Sequence, residues 1–419
     1  MTSLNAPGFP RQQVAARARH GTAMAFPNAA EYGSTMFGQD DTYAPAPVDT
    51  IDRARLVPPV FVPLRLEKLL DLGREPVVGD VELHTDIGGF RSALPVYVSA
   101  FGSTRVASGD LGEAVAQQAG RLGIPMIIGE NIVPVSGYGR MEEEAPSSLR
   151  RRITEYAHAV PDGLGGVVVQ QSTEDADAEV WNLVYSDPSV QPLLESGRVA
   201  FELKVGQGAK PGLGGMTLVP RERAAGLSAQ YDVMDVYGPE DDAVLRCSSP
   251  GTFTDEILRQ QIRLMRNNYP RCRVWVKLPP ARDVARAAAV AWEAGADSVS
   301  VDGAEGGTGW APRAFLNHVG LPLAECLDRL EPQDNCLLVT GRIWEGARAV
   351  KCLALGARAV GLGRAALAAA DEDPKDGLVN FVECLALEIR LLLSSLGKYA
   401  VSDLSSEDIW TDHRIQEGR

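Results

Sequence analysis

The stretch RVWVKLPPARDVARAAAVAWEAGADSVSVDGAEGGTG, residues 273–309, decides the fold. It opens on an apolar run broken by one lysine, passes through an alanine-rich segment, and closes on a second β-branched run that empties into a glycine-rich loop. In the middle segment Val284, Ala288, Ala291 and Trp292 fall on one face at helical spacing, and Gly295 sits where a helix C-terminus accepts left-handed backbone. The next strand begins just beyond that glycine. Strand, helix and strand joined this tightly read as a parallel βα unit.

Working outward, the same pattern recurs along the chain. Candidate strands are PVYVSA (95–100), PMIIGE (125–130), GVVVQQ (166–171), VAFELKVG (199–206), RVWVKLP (273–279), SVSVDG (298–303), CLLVTGR (336–342) and AVGLG (359–363). Several are apolar at successive positions, as strands buried on both faces are, and the segments GDLGEAVAQQAGRLG, TDEILRQQIRLMRNN and WEGARAVKCLALG supply helices between them. Eight such units predict closure into a (β/α)8 barrel of the TIM type. An open doubly wound sheet is the alternative that periodicity cannot separate, but no GxGxxG turn follows the first strand.

Around this barrel, assigned to residues 76–419, two additions are expected. Residues 1–75 are rich in Pro and Ala and read as an extended arm with one helix near Pro63–Gly73, packing on the barrel or on the neighbouring subunit of a homo-oligomer. Gln207 to Thr254 carries much Gly, Pro and Asp and no confident strand, so it reads as a long insertion after strand four. Long loops at that end of a barrel form lids or binding loops. The chain should close with the apolar helix GLVNFVECLALEIRLLLSSLG (377–397).

Composition narrows the function classes. With 45% hydrophobic residues and 42 glycines, a large core with many tight turns is expected, so disorder throughout is excluded. A net charge of −14 argues against a nucleic-acid partner, since phosphate contacts need concentrated Lys and Arg. No apolar run is long enough to span a bilayer, and the basic N-terminal residues are not followed by the apolar stretch of a signal peptide. The expected place is the cytoplasm, away from membranes. Cys247, Cys272, Cys326, Cys336, Cys352 and Cys384 are scattered singly, without the clustered spacing of a metal site.

In such a barrel the chemistry belongs at the C-terminal ends of the strands, where this sequence places its unusual residues. Strand six runs into Asp302, Gly303, Ala304, Glu305, Gly306, Gly307 and Thr308. Those glycines let backbone N–H groups approach a ligand and offer an anion nest, although a tight turn would look the same. Gly341-Arg342 after strand seven and Gly361 to Arg364 after strand eight, including Gly363, each precede a helix. Together they match the phosphate site of this fold, where helix N-termini and an arginine neutralise a phosphate; surface ion pairs are the plainer reading of the arginines. The sharpest signal is Lys204 and Lys277, each inside an otherwise apolar strand. A buried ammonium must be paired or face a polar ligand, so each either serves a ligand or pairs with a core carboxylate such as Asp302.

At this point the residues resemble a family. FELKVGQGAKPGLGG (201–215), VDGAEGGTGWAP (301–312) and NHVGLPL (317–323) are similar to the FMN-binding synthase domain of glutamate synthase and its stand-alone relatives. VSAFGS (98–103), IGEN (128–131) and TGRIWEGARAVKCLALGA (340–357) follow in the same order. The resemblance implies FMN as cofactor. Ala100, Phe101 and Gly102 would flank the flavin, Lys204 and Lys277 would contact its ring with Asp302 and the glycines after it, and Gly341, Arg342, Gly361, Gly363 and Arg364 would hold its phosphate. Glu130, Gln207, Lys210 and Thr308 would bind a carboxylate-bearing substrate, and Glu130 or Asp302 would exchange a proton with it.

The sequence departs from that family in three places. The region after the last phosphate turn, AALAAADEDPKDGLVNFVEC, lacks the cysteine cluster that receives electrons in family members. Met216 replaces the polar residue after the QGAKPG loop, and no amidotransferase domain with an N-terminal cysteine nucleophile is present. The expected activity is therefore FMN-dependent hydride transfer at a C–N or neighbouring C–C bond of a small amino-acid-like substrate. Electrons would be exchanged with a soluble donor, with oxygen or with the substrate. The alternatives are an FMN-dependent 2-hydroxy acid or amine oxidase or dehydrogenase, and, in another class, a flavin-free barrel that binds a phosphorylated ligand or a degenerate subunit serving as a binding partner.

Overall fold

The computed structural model describes residues 4–6, 8–27, 49–101, 110–130, 145–173, 179–209, 216–229, 231–247, 253–308, 311–330 and 334–411. Eight parallel strands close into a barrel: β1 (Val96–Phe101), β2 (Met126–Ile128), β3 (Val167–Ser172), β4 (Val199–Lys204), β5 (Arg273–Leu278), β6 (Ser298–Asp302), β7 (Leu337–Thr340) and β8 (Ala359–Leu362). Each pairs with the next, and β8 returns to β1 through Val360 opposite Val96. The expected (β/α)8 barrel is therefore present, and the open sheet is excluded.

The strands are buried on both faces, which explains their unbroken apolar runs. Outward residues such as Val274, Val276, Val299 and Val301 pack under the surrounding helices, among them Asp255–Asn268, Val284–Glu293, Gly346–Ala354 and Arg364–Glu372. Inward residues form a separate core of Tyr97, Ile127, Val168, Ala200, Trp275, Leu338 and Ala359. A hairpin, Thr85–Ile87 with Phe90–Ser92, plugs the N-terminal mouth by adding Ile87 and Phe90 to that core. Its turn needs glycine: Gly88 has φ 54°, and a Cβ there would stand 2.5 Å from the Trp275 ring. The Trp275 indole N–H donates to the Gly88 carbonyl at 2.9 Å. With that end sealed, the opposite mouth is left for chemistry.

The arm holds more structure than its composition announces. Besides the expected helix Pro63–Leu72, capped by Gly73 at φ 66°, it has helices Arg11–His20 and Thr50–Arg53. Arg17 on the first makes a two-pronged contact with Glu388 of the closing helix Gly377–Ser395, at 2.6 and 2.9 Å. Arg55–Leu56 pairs antiparallel with Ile409–Trp410, tying the arm to the end of the chain.

The insertion corrects the expectation of a strandless loop. Met216–Pro220, Ala243–Cys247 and Asp232–Met234 form a three-stranded antiparallel sheet, with the Ala243–Cys247 strand central. Its strands are short and flanked by Gly, Pro and Asp, so local patterning hides a pairing that only the returning chain completes. Among the described residues no helix is long and apolar enough to cross a membrane.

The plug makes a direct prediction. Phe90 is 1% exposed and its ring centroid lies 5.4 Å from that of Trp275. Phe90→Ala should cost about 3–5 kcal/mol, read as a lowered denaturant midpoint, through the cavity it leaves. Unchanged stability would mean that the hairpin is not part of the core.

Candidate active site

The open mouth is built by the strand ends. On β4 the two-residue period points Glu202 and Lys204 into the barrel, and on β5 Lys277 stands opposite Lys204 in register. The two ammonium groups therefore enter the same layer from neighbouring strands. Lys204 is 8% exposed and Lys277 3%. At that burial each needs an acid.

Both acids are present. Lys277 lies 3.0 Å from Asp302 at the end of β6, and the Thr340 hydroxyl of β7 donates to the same carboxylate. Lys204 pairs with Glu130, just beyond β2, and donates to the Gln207 side chain at 3.3 Å. Gln207 in turn donates to the Thr308 carbonyl at 3.3 Å. Glu130, Lys204, Gln207, Thr308, Lys277 and Asp302 thus form one contiguous lining. One atom stands out: among the described residues, Glu130 Oε2 is buried without a hydrogen-bond partner. A buried acceptor left open in this way suits a donor brought by a ligand.

Beneath this layer lies a carboxylate that sequence reasoning missed. Glu202 is wholly buried and accepts from Ser300 Oγ at 3.0 Å and from the Gln170 amide. Burial pushes its pKa up, and the nearby Lys277 only partly opposes that. For Lys277 burial pulls the other way, but Asp302 and Glu202 outweigh it and hold the ammonium's pKa above its ordinary value. The Tyr97 hydroxyl, also buried and without a partner among the described residues, is pushed well up by burial and by Asp302 and Glu202. Glu202 had a readable signal, since it stands two positions before Lys204 on the same strand face. Tyr97 and Thr340 had none.

A second group adjoins the first, because Asp302 pairs with Thr340 and Thr340 with Gly361 across β6, β7 and β8. Gly363 caps the helix Arg364–Glu372, and a Cβ added at Gly363 would meet nothing within 4 Å. Arg364 donates to the Leu4 carbonyl at 3.1 Å and lies over the Phe9 ring, with no carboxylate partner among the described residues. Burial lowers its pKa. An exposed arginine beside a helix N-terminus that faces open space is the kind of arrangement that could take an anion.

Other expected residues are placed differently. Arg342 has φ 59°, rests against the Trp344 ring, and lies 3.7 Å from Asp52 of the arm. The N–H groups of Gly303 and Gly306 are used inside the fold, donating to Thr340 and Gly303 carbonyls at 2.9 and 2.8 Å, whereas Gly307 faces open space. Ala100 and Phe101 end β1, half-buried. Gly102 and Lys210 lie outside the described residues.

The donor set suits FMN. Paired lysines could face the polar edge of its ring, and Gly363 with Arg364 could take its phosphate. All six cysteines are free, burial lifts the Cys272, Cys326 and Cys352 thiols to about 12, and no metal-ligating group of three or more acids, His or Cys occurs among the described residues.

Comparison with known proteins agrees with this geometry. The model of the conserved region in glutamate synthase matches residues 127–373. The archaeal-type glutamate synthase [NADPH] of Thermotoga neapolitana is 28% identical over 369 residues, covering 79% of this chain and 69% of that protein. Its counterpart in Dehalococcoides mccartyi is 33% identical over 185 residues, covering 42% of this chain and 36% of that protein, and the Thermotoga maritima protein is covered to 56%. The chain thus spans between about a third and two thirds of these relatives. Among solved structures, a mandelate oxidase variant with 2-hydroxy-phenylacetamide superposes with a TM-score of 0.56 at 21% identity, covering 97% of this chain and 99% of that one. A variant flavocytochrome b2 with pyruvate bound gives 0.54 at 18%, covering 97% and 85%. Likeness at those identities shows the fold.

Glu202 sets a pH dependence. Its folded pKa lies above the ordinary 4.5, so the folded state binds the proton more tightly than the unfolded chain. That contribution is present below about 4.5 and is lost as pH rises through the folded pKa. Thermal melts across this window should show wild type losing stability with pH more steeply than Glu202→Gln; parallel curves would mean that the carboxyl is not held protonated.

Proposed function

The chain belongs to the glutamate synthase family, and on that premise we propose that it is an FMN-dependent oxidoreductase acting on a small, carboxylate-bearing, amino-acid-like substrate. Bound FMN would supply hydride transfer at N5, to or from a C–N or adjacent C–C bond. The observation that carries this reading is the meeting of two strand lysines in one barrel mouth, next to an arginine without a carboxylate partner among the described residues. Binding, orientation and proton handling fall to the protein.

The residues divide that work. Lys204 and Lys277 are proposed to hold the ring, and Gly341, Arg342, Gly361, Gly363 and Arg364 the phosphate end. Asp302 is already engaged by Lys277 and Thr340, so it serves to hold a charge in place. Among the described residues Glu130 Oε2 has no hydrogen-bond partner, which favours it as acceptor for a substrate N–H and as proton partner. Gln207 and Thr308 would orient the substrate, together with Lys210. Reducing equivalents would come from a soluble donor, and since the relatives are named for NADPH, that is the donor to test first.

The competing 2-hydroxy acid oxidase would use a histidine base near a strand end. His20, His84, His158 and His318 are exposed, unlike the buried lysines and Asp302 that line the barrel mouth. This favours the first reading. Anaerobic mixing of the FMN-loaded protein with amino acids should bleach the flavin, and imines should reoxidise the reduced flavin; bleaching by 2-hydroxy acids alone would reverse the choice.

Two variants test the roles. Arg364→Gln should weaken FMN binding about tenfold, the scale of one charge-assisted contact, while leaving riboflavin affinity nearly unchanged. Wild-type protein that takes up no FMN would overturn the reading altogether. Glu130→Gln should keep the flavin spectrum and lower the rate of bleaching about 100-fold or more, as loss of a proton-transfer group does.

A further inference from the structure

A buried charge cluster outside the mouth lies behind the Gly341–Arg342 turn. Arg348, on the helix Gly346–Ala354, is 1% exposed, and its fork reaches three parts of the chain. Nε donates to the Gly341 carbonyl at 2.8 Å. Nη1 donates to Asp49 Oδ1 at 2.9 Å and to Asp52 Oδ1 at 2.5 Å. Nη2 lies 2.8 Å from Asp49 Oδ2 and 3.0 Å from Glu305 Oε1. Four hydrogen bonds and the ion contact with Asp49 Oδ2 thereby occupy the guanidinium.

Two of those carboxylates belong to the arm. Asp49 caps the helix Thr50–Arg53 by accepting from the Asp52 N–H at 2.8 Å, and Lys351 donates to the Asp52 carbonyl at 3.0 Å. Glu305 stands on the glycine-rich loop after β6 and is anchored by the Leu323 N–H at 3.2 Å. One guanidinium therefore joins the arm, the glycine-rich loop and the turn after β7. That turn is the strained one: Arg342 is the non-glycine residue with positive φ among the described residues.

We infer that the arm segment Asp49–Arg53 is a latch on the cofactor's phosphate turn, with Arg348 as the positioning residue between them. The inference rests on the FMN reading above. A buried guanidinium stripped of its acids cannot stay buried, so undocking the arm would pull Arg348 away from Gly341 and Glu305 and release the left-handed turn. Arg342 stands 3.7 Å from Asp52, beyond hydrogen-bond reach, and among the described residues no hydrogen bond occupies its guanidinium, so its donors could turn to a phosphate. Coupling of this kind is reciprocal: a docked arm favours the phosphate, and the phosphate favours the docked arm.

Hydrogen exchange of the full chain at Thr50–Leu56, with and without FMN or riboflavin, tests this together with flavin-fluorescence titration. FMN should slow exchange in that segment of the wild type, and riboflavin, which lacks the phosphate, should not. Asp49→Asn with Asp52→Asn should raise the FMN Kd about tenfold, inside the roughly 5–150-fold range of coupled sites, and abolish the FMN effect on exchange. Arg348→Lys, which keeps the charge but loses the fork, should behave as the double variant does. Exchange indifferent to FMN in a wild type that binds it, or double-variant affinity equal to wild type, would overturn the latch alone. Wild type that binds no FMN would overturn the FMN reading and the latch with it.

Discussion

Two ammonium groups on adjacent strands of a closed barrel set the terms for the whole mouth. Neighbouring parallel strands run about 5 Å apart, and charges that close in a water-poor interior repel strongly unless each is countered. Asp302 and Glu130 counter them from β6 and from beyond β2, on either side of β4 and β5. The pairing explains why Thr340 bonds Asp302 and why Gln207 turns back to Lys204. It also makes the pocket a balanced polar lining, more than a simple basic patch, in which Glu130 Oε2 has no hydrogen-bond partner among the described residues.

The sealed end of the barrel complements that mouth. Trp275, Phe90 and Ile87 fill the floor with apolar bulk, and Glu202, Ser300 and Gln170 form a polar layer between floor and mouth. Burial in such a layer raises the carboxyl's pKa, and the nearby Lys277 only partly opposes it. Apolar floor, polar layer and charged rim form a gradient along the barrel axis. Such a gradient fixes long side chains in place before any ligand arrives.

Much of this was legible in the residues. The eight strands, the glycine corners and both lysines were marked by patterns that local chemistry imposes: continuous apolar runs, glycine where backbone must bend, and a charge where none belongs. Glu202 was equally marked by its place two residues before Lys204, yet an acid in a strand looks unremarkable until its burial is known. The sheet within the insertion was hidden, because its central strand Ala243–Cys247 finds partners on both sides only after the chain has doubled back. Arg348 looked like any helical arginine, and Asp49 and Asp52 like loop acids.

By itself the sequence determined the repeat of strand and helix and the strand ends that carry its unusual residues, since these follow from periodicities that act over a few residues, whereas closure into a barrel was decided by the pairing of the last strand with the first. It also determined that two buried cations had to be satisfied. Which acids satisfy them, and which arginine is held by the arm while another keeps no carboxylate partner among the described residues, was decided by tertiary structure. Ion pairs join residues far apart in the chain, and only the closed fold brings their partners within reach.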